Sequence, residues 1–316
     1  YETITFLREL QDLEKVLGKT ANKENVKYFD KIRASIRFKH FKKTYDENIL
    51  DIKGGLNDVV MNNSPIDIDK LIEGTNEILT ANRNSLQLFD MLHSMRQFDD
   101  LTYVHSVNVA LIASILGQWL KFSEKDIRIL TISGLLHDIG KIMIPNEILT
   151  KPGKLTVAEY NIMKQHVNFG YEKVKNQNID IRIKEVCLLH HEKCDGTGYP
   201  FGLKSDHIPA VAKIIAIADV YDAMTSARVY RGALCPFEVI DTMYKDAFTK
   251  FEPEYILPFL KNVASSYINN DVRLSDGRIG KVVLINENAL SLPIVQCEDE
   301  FIDLSKTREL TVSAIL

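Results

Sequence analysis

Five short segments of this 316-residue chain carry residue types that bind metal ions. They are Thr102-Tyr103-Val104-His105-Ser106, Leu136-His137-Asp138-Ile139-Gly140-Lys141, Lys164-Gln165-His166, Leu189-His190-His191-Glu192 and Ile217-Ala218-Asp219-Val220-Tyr221-Asp222. All but His166 sit in or at the end of an apolar run, where an imidazole or carboxylate is costly to bury unless paired or coordinated. A lone buried histidine is commonly a hydrogen-bonded core residue, and an adjacent His-Asp a helix-end pair. Five such segments in one stretch argue against coincidence. Imidazole nitrogen and carboxylate oxygen without clustered thiolate suit Fe, Mn, Ni, Co or Zn, whereas Ca and Mg ask for more oxygen. Five histidines and two aspartates exceed the needs of one ion, and Asp138 is the natural bridge between two. Two ions about 3.5–4 Å apart would share a hydroxide and clamp a phosphate for in-line attack. His40, His93 and His207 lack this setting and read as ordinary surface or packing residues.

Something must bring these segments together. They recur at separations of about 24 to 32 residues, one helix-loop-helix each time, so a helical bundle can aim them at one interior point. Long apolar helices are expected over Val107–Leu120, Ile127–Leu136 and Val211–Tyr221. The chain divides by composition into a helical region over 1–95, a histidine-rich helical region over 96–270 and a small β appendage over 271–316. In the first, Phe6, Leu7, Leu10, Leu13 and Leu17 follow helical spacing, and Ser64-Pro65 reads as a helix start. That region is expected to serve as scaffold, dimerisation surface or sensor. In the last, Val272, Leu274, Ile279–Ile285, Pro293–Cys297 and Phe301–Leu304 read as short strands, with a turn at Asp276-Gly277. So short an appendage must dock on the helical body to be stable.

Composition excludes other classes. Hydrophobic residues at 45% and charged residues at 26% are enough to build a core, which excludes general disorder. A formal charge of −4 argues against a nucleic acid polymer as partner. No apolar run approaches the length of a membrane span. Cys187, Cys194, Cys235 and Cys297 form no CxxC pair and, with no export signal in view, read as reduced thiols of a cytoplasmic protein.

The strings His137-Asp138-Ile139-Gly140-Lys141 and His190-His191-Glu192-Lys193-Cys194-Asp195-Gly196-Thr197-Gly198-Tyr199-Pro200 resemble the HD-GYP branch of the HD phosphohydrolase superfamily. Asp219-Val220-Tyr221-Asp222-Ala223-Met224-Thr225-Ser226-Ala227-Arg228-Val229-Tyr230-Arg231 adds to the match. The resemblance covers roughly residues 96 to 268. It implies a mainly α, HD-type bundle around a metal centre, and hydrolysis of cyclic di-GMP. Carried over by position, the ligands are His105, His137 and Asp219 on one metal, and His166, His190 and His191 on the other, with Asp138 bridging. Trinuclear members add a Glu where Leu101 stands here, so two ions are expected, iron or manganese first, then nickel, cobalt or zinc. The expected product is linear pGpG, with cleavage on to GMP tied to a third ion.

The substrate side follows similar logic. Lys141, nearly one turn beyond Asp138, would face the phosphate and stabilise its charge in the transition state. Tyr199 would touch phosphate or guanine. Arg228 and Arg231 lie three apart on an expected helix and would pair with phosphate, Arg231 standing where the family commonly has Lys. Glu192 and Asp195 are expected to orient the ligand histidines. Rival readings keep the pocket and change its use: a 3′,3′-cyclic GMP-AMP phosphodiesterase, or a silent cyclic-dinucleotide receptor signalling through residues 1–95. A nucleoside-phosphate hydrolase is disfavoured by the Gly198-Tyr199-Pro200 loop. A homodimer through the N-terminal helices is expected.

Overall fold

The computed structural model describes residues 32–82, 85–95, 101–151, 153–225, 234–307 and 309–316, without the side chains at 85, 86, 90, 93 and 101. The helix expected over Phe6–Leu17, and Arg228 and Arg231, lie outside the described residues. What is described is mainly helical, with a C-terminal antiparallel sheet, as the sequence predicts.

Two long amphipathic helices open the described chain. Helix α1 (Ile36–Asn62) starts at Ser35, whose side chain accepts the Phe38 N–H, and stops where Asn63 turns left-handed at φ 53°. Its inner face is Phe38, Phe41, Tyr45, Ile52, Leu56 and Val59. Helix α2 (Ile68–Ala81) is capped by Asp67, which accepts the Lys70 N–H, and not by Ser64 as expected from Ser64-Pro65. The reason is tertiary: Gln177 takes the Ile66 N–H and donates to the Ser64 carbonyl, holding this stretch outside the helix until Asp67. Helix α3 (Ser85–Ser94) leads into the bundle.

Five helices surround the histidine cluster. Helices α4 (Leu101–Trp119) and α5 (Glu124–Leu136) pack side by side, and α4 is buried over nearly its whole length. The chain then tightens into a 3-10 turn over Ile139–Met143, followed by two short helices, α6 (Asn146–Leu149) and α7 (Val157–Met163). Helices α8 (His166–Val174), α9 (Ile181–Leu189) and α10 (Ala210–Thr225) complete the ring. A second 3-10 turn covers Ser205–His207. Helices α11 (Pro236–Lys245) and α12 (Pro253–Ser265) back it from outside.

Two glycines set the spacing. A β-carbon at Gly134 of α5 would lie 2.4 Å from the Ala110 Cα of α4, and one at Gly140 would lie 1.9 Å from the His166 carbonyl oxygen. Only hydrogen fits at either place. The α4–α5 pair and the α8 end therefore close onto the same point.

The appendage is a five-stranded antiparallel sheet in the order β4-β3-β2-β1-β5. Strands β1 (Asp271–Leu274) and β2 (Ile279–Leu284) form a hairpin whose turn uses Gly277 at φ 95°. Strands β3 (Ile294–Cys297) and β4 (Glu300–Asp303) follow. Strand β5 (Val312–Ile315), not anticipated from the sequence, returns to pair with β1, Val272 opposite Ile315. It packs on α11, and Val272, Leu274, Val282, Val295, Val312 and Ile315 join one hydrophobic cluster with the helices. No helix among the described residues is long and apolar enough to cross a membrane, and the four cysteines are free.

Candidate metal centre

Each donor sits where an element begins or ends, or on the inner face of a helix. His105 lies one turn into α4. His137 closes α5, its N–H still bonded to the Ser133 carbonyl, and Asp138 leaves the helix at φ −102°, ψ 11°. That break turns two adjacent side chains to the same centre, which a continuous helix would splay about 100° apart. His166 is the first residue of α8, His190 closes α9 and His191 follows it. Asp219 projects from the middle of α10.

Asp138 divides its carboxylate between two groups of imidazoles. Its Oδ1 lies 3.3 Å from His166 Nε2 and 3.6 Å from His190 Nε2. Its Oδ2 lies 3.3 Å from His137 Nε2 and 3.6 Å from His105 Nε2. Asp138 with His166, His190 and His191 forms one set, and Asp138 with His105 and His137 another; within each the donor atoms lie within 4.8 Å of one another. Asp219 spans both, Oδ1 at 2.9 Å from His105 Nε2 and Oδ2 at 3.7 Å from His191 Nδ1.

The ring orientations are imposed from behind. His137, His166 and His190 donate their Nδ1 hydrogens to the carbonyls of Gly134, Met163 and Val186, at 2.8, 2.7 and 2.9 Å. Each is thereby fixed in the tautomer that leaves the Nε2 lone pair facing inward. His105 is held by Asp222 instead, Nδ1 to Oδ2 at 2.8 Å.

Electrostatics agree with ligation at three of the imidazoles, while His105 must give up a proton to bind an ion. Burial pushes the pKa of His166 down to about 3, and those of His137 and His191 below the usual imidazole value, so all three are neutral at pH 7. Burial also works against a charge on His105, but hydrogen bonds to Asp219 and Asp222 outweigh it and push its pKa up to about 10. Burial opposes the charge on Asp138; neighbouring His137 and Lys141 overcome it and hold the carboxyl well below the usual carboxylate range. Asp219 is lowered likewise, chiefly against burial and by His105. The donors fit a divalent transition ion: His137 Nε2 and Asp138 Oδ1 are buried with no hydrogen-bond partner, a cost of about 1–3 kcal/mol each that coordination removes. All seven are nitrogen or oxygen donors of the kind such ions take.

The remaining residues divide. Lys141 reaches the centre, its Nζ paired with Asp138 Oδ2. The Tyr199 ring stacks on His191, centroids 4.7 Å apart and planes 28° from parallel, and burial pushes its phenol pKa well above 10. Glu192 and Asp195 do not touch the ligand histidines as expected. Both Glu192 oxygens are taken by loop amides, Phe201 N–H at 2.7 Å and Leu203 N–H at 2.8 Å. Asp195 accepts from the Thr197 amide and hydroxyl, closing its own turn. These carboxylates shape the loop carrying Tyr199 through groups two to eleven residues away. His40 and His207 are exposed. Sequence reasoning gave no role to Asp222 or Asn108, though each stands three residues past a ligand, on the same side of its helix.

Residues 74–255 match the HD domain family. A cyclic di-GMP phosphodiesterase of Pseudomonas aeruginosa is 37% identical over 203 residues, 64% of this chain and 49% of that protein. A 3′3′-cGAMP-specific phosphodiesterase of Vibrio cholerae is 30% identical over 216 residues, 67% of this chain and 40% of that protein. The solved structure of Bd1817, an HDG"Y"P protein from Bdellovibrio bacteriovorus, superposes with a TM-score of 0.52 at 16% identity, covering 82% of this chain and 79% of that one, a likeness of fold. The chain spans about half the length of the first relatives it matches.

Proposed function

The chain belongs to the HD domain family, and from that premise we propose that it is a metal-dependent phosphodiesterase opening cyclic di-GMP to linear pGpG. The observation that carries this reading is the divided carboxylate of Asp138, one oxygen toward His166 and His190, the other toward His105 and His137. His105, His137 and Asp219 would hold one ion and His166, His190 and His191 the other, with Asp138 shared; iron or manganese suits the donors. Bound there, the two ions supply electrophilic stabilisation of the phosphoryl oxygens and an acidified water.

The protein's own groups do the rest. Lys141, beside the shared carboxylate, sets a cation where phosphoryl charge grows. Tyr199 keeps its proton and offers a hydrogen bond to phosphate or base, its ring held against His191. Arg228 and Arg231 are assigned further phosphate contacts from the sequence. The water oxygen bonds to phosphorus, the bond to the ribose 3′ oxygen breaks, and that oxygen leaves with a proton, one water consumed per ring opened. We assign 96–270 to the catalytic unit, 1–95 to scaffolding, sensing or dimerisation, and 271–316 to the docked appendage.

The cyclic di-GMP phosphodiesterase among the relatives supports this substrate, and the 3′3′-cGAMP-specific one supports the second reading, the mixed dinucleotide. Purified protein loaded with Mn(II) or Fe(II) is expected to convert cyclic di-GMP to pGpG by chromatography, and His137→Ala or Asp138→Ala to abolish conversion. Turnover by those variants at the parental rate overturns the site. Initial rates on the two dinucleotides decide between substrates; tight binding of either without turnover, under each metal, leaves a receptor.

A further inference from the structure

We propose that Tyr45, on α1, is a positioning residue for the metal ligand His105, acting through Asn108 and Asp222. This rests on reading the histidine cluster as a metal centre. Tyr45 lies outside the residues that match the HD domain family, which begin at 74.

The geometry is a buried relay of hydrogen bonds. The Tyr45 hydroxyl donates to Asn108 Oδ1 at 2.5 Å. Asn108 Nδ2 donates to Asp222 Oδ1 at 2.9 Å. Asp222 Oδ2 accepts from His105 Nδ1 at 2.8 Å. His105 Nε2 then faces Asp219 and Asp138, at 2.9 and 3.6 Å. Tyr45, Asn108 and Asp222 are 0%, 1% and 2% exposed, so no solvent competes for these bonds.

Every link constrains the next. Asp222, an acceptor only, forces the Asn108 amide to present its NH₂ side there, which leaves the carbonyl for Tyr45. Donors at both oxygens keep the Asp222 carboxylate from rotating freely. It therefore holds the His105 ring in one plane, with Nε2 inward. The Tyr45 hydroxyl is what gives the amide carbonyl its partner. Its neighbours on the inner face of α1 are Phe38, Phe41, Asn48, Ile52, Leu56 and Val59, mostly apolar, among which phenylalanine would pack as well and bury no hydroxyl. The hydroxyl makes sense as a support for Asn108. Seating of α1 and the aim of a metal donor are thereby linked over a sequence separation of 60 residues.

The test is Mn(II) affinity of the purified chain, read from the electron paramagnetic resonance of free Mn(II) and by chelator competition. Tyr45→Phe removes only the hydroxyl and is expected to weaken binding about tenfold, the low end for loss of a ligand's supporting hydrogen bond. Asn108→Leu, which cuts the relay in the middle, is expected to do the same, and the double variant no worse than Asn108→Leu alone. Val59→Ala, on the same face of α1 but fourteen residues from Tyr45, is expected to lower the melting temperature and keep the affinity. Parental affinity in folded Tyr45→Phe overturns the proposal, as does an equal loss in Val59→Ala or additivity in the double variant. Should Tyr45→Phe fail to fold, Asn108→Leu alone decides, with parental affinity again overturning it. A parental chain that binds no Mn(II) removes the metal centre itself, and with it the relay's purpose.

Discussion

At the scale of the residue, the centre is a set of atoms whose protons have been assigned in advance. Burial makes a charge on His137, His166 and His191 costly and keeps them neutral, and His137, His166 and His190 have their Nδ1 protons committed to carbonyls. Lys141 reaches this centre and is paired with Asp138. Lys141→Ala is expected to lower kcat about 100-fold, the loss typical when one charge-stabilising donor is deleted, with metal content by mass spectrometry unchanged. Parental kcat in that variant would remove Lys141 from the mechanism. The seven donors were legible because their types are rare in apolar runs and recur once per helix pair. Their supports were not. Tyr45 and Asn108 stand 63 residues apart, and nothing in the local pattern of either marks the other.

At the scale of the element, close approach does the positioning. A β-carbon at Gly140 would collide with the His166 carbonyl oxygen and with the Gly170 nitrogen at 2.5 Å, both backbone, so neither can swing aside. Gly140→Ala is therefore expected to push α8 away from Asp138, destabilise the fold by about 1–3 kcal/mol in urea unfolding, and weaken Mn(II) binding. Gly54, inside α1 with nothing within 4 Å of its would-be β-carbon, is the contrast: Gly54→Ala is expected to stabilise by about 0.5–1 kcal/mol and leave Mn(II) affinity alone. A Gly140→Ala protein with parental affinity would break the link between this approach and the centre. Long helices were readable from apolar runs. Boundaries set by distant partners were not: Gln177 moved the α2 start from Ser64 to Asp67, and β5 is defined by pairing with β1, because a four-residue stretch with Val312, Ala314 and Ile315 all buried lacks strand alternation.

At the scale of the whole molecule, one continuous hydrophobic cluster runs from Phe38 through the bundle to Ile315, so ion binding at the centre is felt by the entire fold. At a free Mn(II) concentration 100-fold above Kd, each ion bound only by the folded chain adds about 2.7 kcal/mol. That corresponds to a rise in Tm of roughly 4 °C per ion for a protein of this size, at about 2.1 cal/mol/K of unfolding entropy per residue. Calorimetry with and without a chelator checks it, and an unchanged Tm would mean that no ion is held. The general architecture was readable from the change in composition along the chain, and the docking of the appendage from its shortness, but which faces meet was not. The main-chain anchors of His137, His166 and His190 also carry a consequence over generations. No point mutation deletes a carbonyl, so descendants of this sequence inherit three imidazoles presenting the same nitrogen as long as the helix ends survive. His105 leans instead on a side chain, Asp222, that a single codon change can replace. Drift in metal preference would therefore enter such a lineage there first.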